Sequence, residues 1–255
     1  MQSVMSVVIT AAVVYAGLCA WMYVSQRSQI YYPTPETDHR GAQALWLQSE
    51  TQRIKVWHVS RPGPKALLYF GGNAEDVAGS IDDFAATFPQ RSLYLVNYRG
   101  YGGSSGKPTE SGLAADALTV YGHVRTGHSD IAVMGRSLGS AVAMSLASRR
   151  PVSKLVLVTP YDSLARVAKA HVRWLPVGLL LRDRYDSAAL APKVTSPVLA
   201  VIAGQDEIIP RASTDALVAA FRPGAVQVKV VPGTTHNTLD LSPEYLESVA
   251  AFLRE

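Results

Sequence analysis

The sequence predicts an α/β fold: a mostly parallel, twisted sheet with helices on both faces, preceded by one long apolar helix. Three observations predict it. Strand-like and helix-like segments alternate along the chain after about residue 28, the pattern of parallel strands joined by crossover helices. Several strand-like runs are continuously apolar and rich in Val, Leu and Ile, as strands buried on both faces must be. An uncharged apolar run also occupies residues 4–24.

That run, VMSVVITAAVVYAGLCAWMYV, spans roughly 30 Å as a helix, the thickness of a bilayer's hydrocarbon core. Trp21 and Tyr23 stand at its end, where amphipathic rings prefer the interface. A cleaved signal peptide needs a basic start and a small-x-small cleavage site. Here no Lys or Arg precedes the run, and its end carries Trp21, Met22 and Tyr23. The expectation is an N-terminal membrane anchor over 1–27 and a single domain over 28–255, a single-pass membrane protein. Arg27, the only basic residue close to either end of the run, favours a cytoplasmic domain.

Strands are expected at 53–59, 65–70, 92–98, 130–135, 154–159, 197–204 and 226–231, and helices near 77–88, 110–126, 138–149, 211–221 and 243–253. Ser242-Pro243-Glu244 supplies the last helix with a cap followed by proline at its first position. About forty residues separate the strands at 154–159 and 197–204, room for a small lid over about 160–192. In such sheets ligands bind outside the carboxyl ends of the strands.

Composition narrows the chemistry. Of 255 residues, 48% are hydrophobic and 17% charged, which excludes a disordered chain and a charge-rich coiled coil. The net charge of +4 comes from basic residues scattered singly or in pairs such as Arg149-Arg150, so no nucleic-acid partner is expected. The single cysteine, Cys19, excludes an intramolecular disulfide and a thiolate metal cage. Neither a metal nor a cofactor is expected.

The strand at 130–135 runs directly into Gly135-Arg136-Ser137-Leu138-Gly139 and then a helix. This is G-x-S-x-G in the strand–turn–helix setting that exposes a serine nucleophile on a strained elbow. A serine hydroxyl needs a base to take its proton. An acid and a base for such a serine follow it in chain order, from loops after later strands. His236, after the strand at 226–231, is the one of six histidines so placed. Asp206, after the strand at 197–204, is the favoured acid, and Asp162, after the strand at 154–159, competes with it.

The oxyanion formed on attack needs backbone donors. Leu138, next after the nucleophile, offers one; the Gly71-Gly72-Asn73-Ala74 loop offers the other, with Asn73 first and Ala74 or Gly72 as alternatives. A second glycine-rich stretch, Gly100-Tyr101-Gly102-Gly103, misses the spacing of a dinucleotide fingerprint. It reads as a loop bordering the site.

Together these residues resemble the α/β-hydrolase-domain family, and within it the single-pass membrane-anchored serine hydrolases related to protein depalmitoylases. The segments that carry the resemblance are Ile30-Tyr31-Tyr32-Pro33, Asn97-Tyr98-Arg99-Gly100-Tyr101-Gly102, Gly135-Arg136-Ser137-Leu138-Gly139, Pro160-Tyr161-Asp162-Ser163 and Thr235-His236-Asn237. Gly71 departs from the pattern, standing where that group commonly carries histidine. The resemblance implies an α/β-hydrolase fold and cofactor-free hydrolysis of an ester, thioester or amide. An acyl ester or thioester is the favoured substrate. The rival readings are an aminopeptidase-like amidase and a non-catalytic membrane receptor or scaffold. The 164–184 segment, with an apolar stripe and basic Arg166, Lys169, Arg173, Arg182 and Arg184, reads either as an ordinary packing helix or as a lid resting on lipid.

Overall fold

The computed structural model describes residues 2–254. Its strands are β1 (Gln43–Ser49), β2 (Gln52–Val59), β3 (Lys65–Phe70), β4 (Ser92–Val96), β5 (Asp130–Arg136), β6 (Lys154–Val158), β7 (Val198–Ala203) and β8 (Val226–Val231). They form one sheet in the order β1-β2-β4-β3-β5-β6-β7-β8. β1, β2 and β4 pair antiparallel, and every pairing from β4 through β8 is parallel.

Strand β5 explains why the central sequence is apolar without interruption. Ile131 and Val133 join one core, while Ala132 and Met134 join the other. Since side chains alternate along a strand, a sheet covered on both faces demands apolar residues at both parities. One face is covered by α3 (Glu110–Gly127) and α4 (Leu138–Ala147), which supply Leu113, Val120, Val142 and Met144. The other is covered by α2 (Ile81–Thr87) and α9 (Pro243–Arg254), which supply Ile81, Phe84, Val249 and Phe252. The remaining helix against the sheet, α8 (Arg211–Ala220), buries Leu217.

β1 falls outside the strands expected from sequence. It is an edge strand with a mixed burial pattern, so its residues lack the unbroken apolar run of its neighbours. Its exposed Trp46 lies under the Arg53 guanidinium, 4.0 Å from the ring centroid. The 164–184 region is not one helix. It forms α5 (Leu164–His171) and α6 (Val177–Leu180), followed by α7 (Ser187–Leu190); Pro176 removes a backbone donor at the break.

α1 (Gln2–Ile30) is one continuous helix. An 18-residue window within its Ser3–Ile30 stretch has a mean hydropathy of 2.0, and it is the one helix among the described residues long and apolar enough to cross a membrane. It runs past residue 27 without a break, so the expected division between residues 27 and 28 falls inside a helix.

Sequence order reverses around β3, which has β4 on one side and β5 on the other. At such a switch point the loops leaving adjacent strands diverge and open a crevice at their carboxyl ends.

At the other end of these strands, His58 stacks on Tyr94 with ring centroids 4.5 Å apart. Burial, reinforced by neighbouring His128 and His123, holds the His58 pKa below its ordinary 6.5. As pH falls the unfolded chain therefore takes up this proton first. The stability His58 contributes is full above about pH 6.5 and is lost as pH falls through the lowered value. Thermal melting should show a smaller loss of Tm between about pH 7 and about pH 5 in His58→Gln than in the wild type. Equal losses would remove His58 as the cause.

Candidate active site

β5 ends at Arg136 and α4 begins at Leu138, so Ser137 alone makes the turn. Its backbone sits at φ 50° and ψ −115°, a conformation that is costly for any residue with a Cβ. The surroundings hold it there. Ser137 N–H donates to Val158 O at 2.8 Å, and Ser137 C=O accepts from Ser140 N at 2.9 Å and Ser140 Oγ at 2.6 Å. The flanking glycines are required by contact. A Cβ on Gly139 would stand 2.0 Å from Phe70 O, and one on Gly135 would stand 2.1 Å from Gly139 O.

The structure brings Ser137, His236 and Asp206 into one line of contacts. His236 Nε2 lies 3.0 Å from Ser137 Oγ. On the other side of the ring, Nδ1 lies 2.9 Å from Asp206 Oδ2 and 3.1 Å from Oδ1. An ionised carboxylate only accepts, so its proximity puts the proton on Nδ1 and leaves Nε2 free to accept from the serine. Asp206 Oδ1 also accepts from the N–H groups of Ile208 and Ile209, at 3.0 and 2.8 Å. Both His236 and the Asp206 side chain are buried. Asp162 is engaged elsewhere: its carboxylate bonds Ser213 Oγ and pairs with Arg166 at 2.8 Å.

The loop after β3 supplies the other wall. Gly72 N–H donates to Glu75 Oε2 at 2.6 Å, which removes Gly72 as an oxyanion donor. The Asn73 side chain is likewise taken: Nδ2 donates to Ile30 O at 2.6 Å, and Oδ1 accepts from Tyr32 N at 3.0 Å and Tyr101 Oη at 2.8 Å. With its side chain fixed at both ends, Asn73 is anchored in the wall of the pocket that Ser137 also lines.

Sequence reasoning missed the residues that hold this loop. Arg136, the variable residue before the serine, donates to His236 O at 3.2 Å and pairs with Asp240 at 3.4 Å and Glu75 at 3.7 Å. Burial opposes its charge, but Glu75 and its other neighbours more than offset this and raise its pKa above the ordinary guanidinium value. Arg136 thus ties the serine turn to the histidine loop and the Gly72 loop. Tyr98 donates to Gly71 O at 2.7 Å; burial first, then Glu75, pushes its phenol pKa well up, so it remains a neutral donor. Tyr101 lies in the glycine-rich stretch read as a bordering loop, and Tyr98 at the end of the strand expected at 92–98. The signal for their role was the Asn97-Tyr98-Arg99-Gly100-Tyr101-Gly102 segment itself.

A pocket of about 800 Å³ opens over Ser137 and His236. Its walls include Leu164, Val167, Val172, Leu175, Val177 and Leu180 from the α5–α6 region, apolar side chains suited to an apolar ligand.

Comparison with known proteins agrees with this architecture. The family profile of the alpha/beta hydrolase fold matches residues 65–190. A Mycobacterium tuberculosis protein, Rv2307c, is 36% identical over 98% of this chain and 94% of its own length. Human alpha/beta hydrolase domain-containing protein 17C is 33% identical over 93% of this chain and 72% of its own length. The chain belongs to the alpha/beta hydrolase family. Among solved structures, the Pyrococcus furiosus esterase Pf2001 superposes with a TM-score of 0.73 at 14% identity, covering 88% of this chain and 98% of that one. Est1E of Butyrivibrio proteoclasticus with bound ferulic acid gives 0.64 at 17% identity, covering 82% and 96%. Both likenesses establish the fold.

Within this hydrolase fold, the approach of α4 to β3 can be tested with one methyl group. Gly139→Ala should destabilise the protein by more than about 3 kcal/mol, because the backbone carbonyl of Phe70 cannot yield. Gly122→Ala, where nothing lies within 4 Å of the added carbon, should be neutral or stabilising by up to about 1 kcal/mol. Chemical denaturation of both variants checks the contrast.

Proposed function

We propose that this protein is a membrane-anchored serine hydrolase that cleaves carboxylic esters or thioesters of acyl substrates through an acyl-serine intermediate. The observation that carries the reading is the unbroken line of contacts from Ser137 Oγ through His236 to Asp206. His236 Nε2 takes the hydroxyl proton as Ser137 Oγ attacks the acyl carbonyl, and Asp206 stabilises the imidazolium that forms. The backbone N–H groups of Leu138 and Asn73 receive the negative oxygen. His236 then gives its proton to the departing alcohol or thiol, and water repeats the sequence to release the acid.

An aminopeptidase-like amidase of this fold needs a carboxylate free to bind the substrate's ammonium. The carboxylates of Glu75 and Asp240, which line the pocket, are both paired with Arg136. That pairing favours the ester reading, as do the apolar walls. A receptor or scaffold without catalysis gives no reason to hold Ser137 in a strained conformation beside a histidine. In the same reading α1 crosses the bilayer, and Arg27 favours the cytoplasmic side for the domain.

A fluorophosphonate probe should label the wild type and leave Ser137→Ala unlabelled. Asp206→Asn should lose about 10⁴-fold in turnover while remaining folded, because the histidine loses the anion that orients it. Asp162→Asn should lose stability and keep most of its turnover per folded molecule. The reverse assignment of the two losses would make Asp162 the acid.

A further inference from the structure

α1 enters the domain without a linker and is fixed to both sides of the pocket mouth. Gln26 on α1 is 7% exposed. Its Nε2 donates to Leu180 O at 3.0 Å, and its Oε1 accepts from Arg182 N at 2.7 Å. Arg27 forks onto buried Asp183 at 2.9 and 3.2 Å. On the opposite flank, Ile30 O accepts from Asn73 Nδ2. A tether needs none of these contacts. Buried polar groups satisfied in this way hold a helix in one rotation about its axis.

In that rotation, Met22, Gln26 and Ile30 line the same pocket as Ser137 and His236. A further contact fixes the height of the lid against the anchor: Tyr15 Oη donates to Trp174 O at 2.9 Å. Tyr15 precedes Val24 by nine residues, roughly 14 Å along a helix axis. With residues 4–24 in the bilayer, this contact sets the α5–α6 connection against the membrane-spanning part of α1. Trp174 and Leu179 are 55% and 84% exposed, apolar surface turned outward beside the anchor.

We infer that the last turns of α1 are a substrate-binding element. Met22 and Ile30 form, with the lid, a channel that a long acyl chain enters sideways from the bilayer, so the anchor sets chain-length selectivity. This rests on the reading of Ser137 as an ester-cleaving nucleophile. The test uses the full chain in lipid nanodiscs with dodecanoyl and acetyl p-nitrophenyl esters. Met22→Trp adds bulk inside the channel, whereas Val24→Trp adds it to an 80% exposed position on the same helix. Met22→Trp should lower the dodecanoyl-to-acetyl ratio of kcat/KM about ten-fold or more, and Val24→Trp should leave it unchanged. Met22→Ala, which opens the channel without crowding it, should shift the preferred chain to a longer one. A ratio that is the same in Met22→Trp and Val24→Trp, with no shift in Met22→Ala, overturns the proposal. A second readout is independent of turnover. In a Ser137→Ala background, Met22→Trp should weaken binding of a fluorescent long-chain fatty acid, and Val24→Trp should not. If the wild type cleaves neither ester, the hydrolase reading fails and fatty-acid binding alone decides the role of α1.

Discussion

The contact on which the rest of this structure depends is the approach of α4 to the carboxyl end of β3, where Gly139 meets the backbone of Phe70. It lets a helix start one residue after a strand ends. That abruptness forces Ser137 into a conformation that ordinary turns avoid, and it lifts the hydroxyl out of the sheet into the crevice. The strain is local, but its restraint is distributed: β6 through Val158 and α4 through Ser140 hold Ser137 itself, and β3 through Phe70 backs Gly139 behind it. Strain of this kind persists only where neighbouring structure over-determines it.

A second tier of contacts converts three loops into one site. Arg136 reaches the histidine loop and the carboxylates of Glu75 and Asp240 from the serine turn. Glu75 in turn holds Gly72 and the Tyr69 hydroxyl. Of these pairs Arg136–Glu75 is the more buried one, and breaking a buried pair costs about 3–5 kcal/mol because the remaining charge is left without a partner. The arrangement keeps these charges away from the apolar side of the pocket, where an acyl group has room. α1 extends the same logic outward, since Asn73 spends its side chain on Ile30 and Tyr32 and so ties the pocket wall to the end of the helix.

The alternation of strands and helices and the two-sided burial were legible before any coordinates, as was the placement of Ser137, Asp206 and His236 after successive strands. Strand β5 carries apolar residues at both parities, and each of the three polar residues follows a strand at its carboxyl end, where this topology opens. β1 was not legible, because a half-buried edge strand leaves no unbroken apolar run. The division of the lid into two short helices was signalled only by Pro176.

What the sequence by itself determined is therefore what local pattern can encode: strand parity, the glycines of the elbow, and a run of residues long and apolar enough to cross a bilayer. What only the tertiary structure decided is which groups are already taken. Asp162 and Asp206 are alike in sequence, each in a loop after a strand. The first is bound to Ser213 and Arg166, and the second faces His236. Gly72 and Asn73 are adjacent, yet Glu75 occupies the N–H of one and not the side chain of the other. Met22 and Val24 lie two residues apart on an apolar helix, and the contacts of Gln26, Arg27 and Ile30 with the domain determine which of them faces the pocket. Which partners meet, such as Gln26 with Leu180 or Asp206 with His236, depends on how the whole chain packs, and no local pattern carries that information.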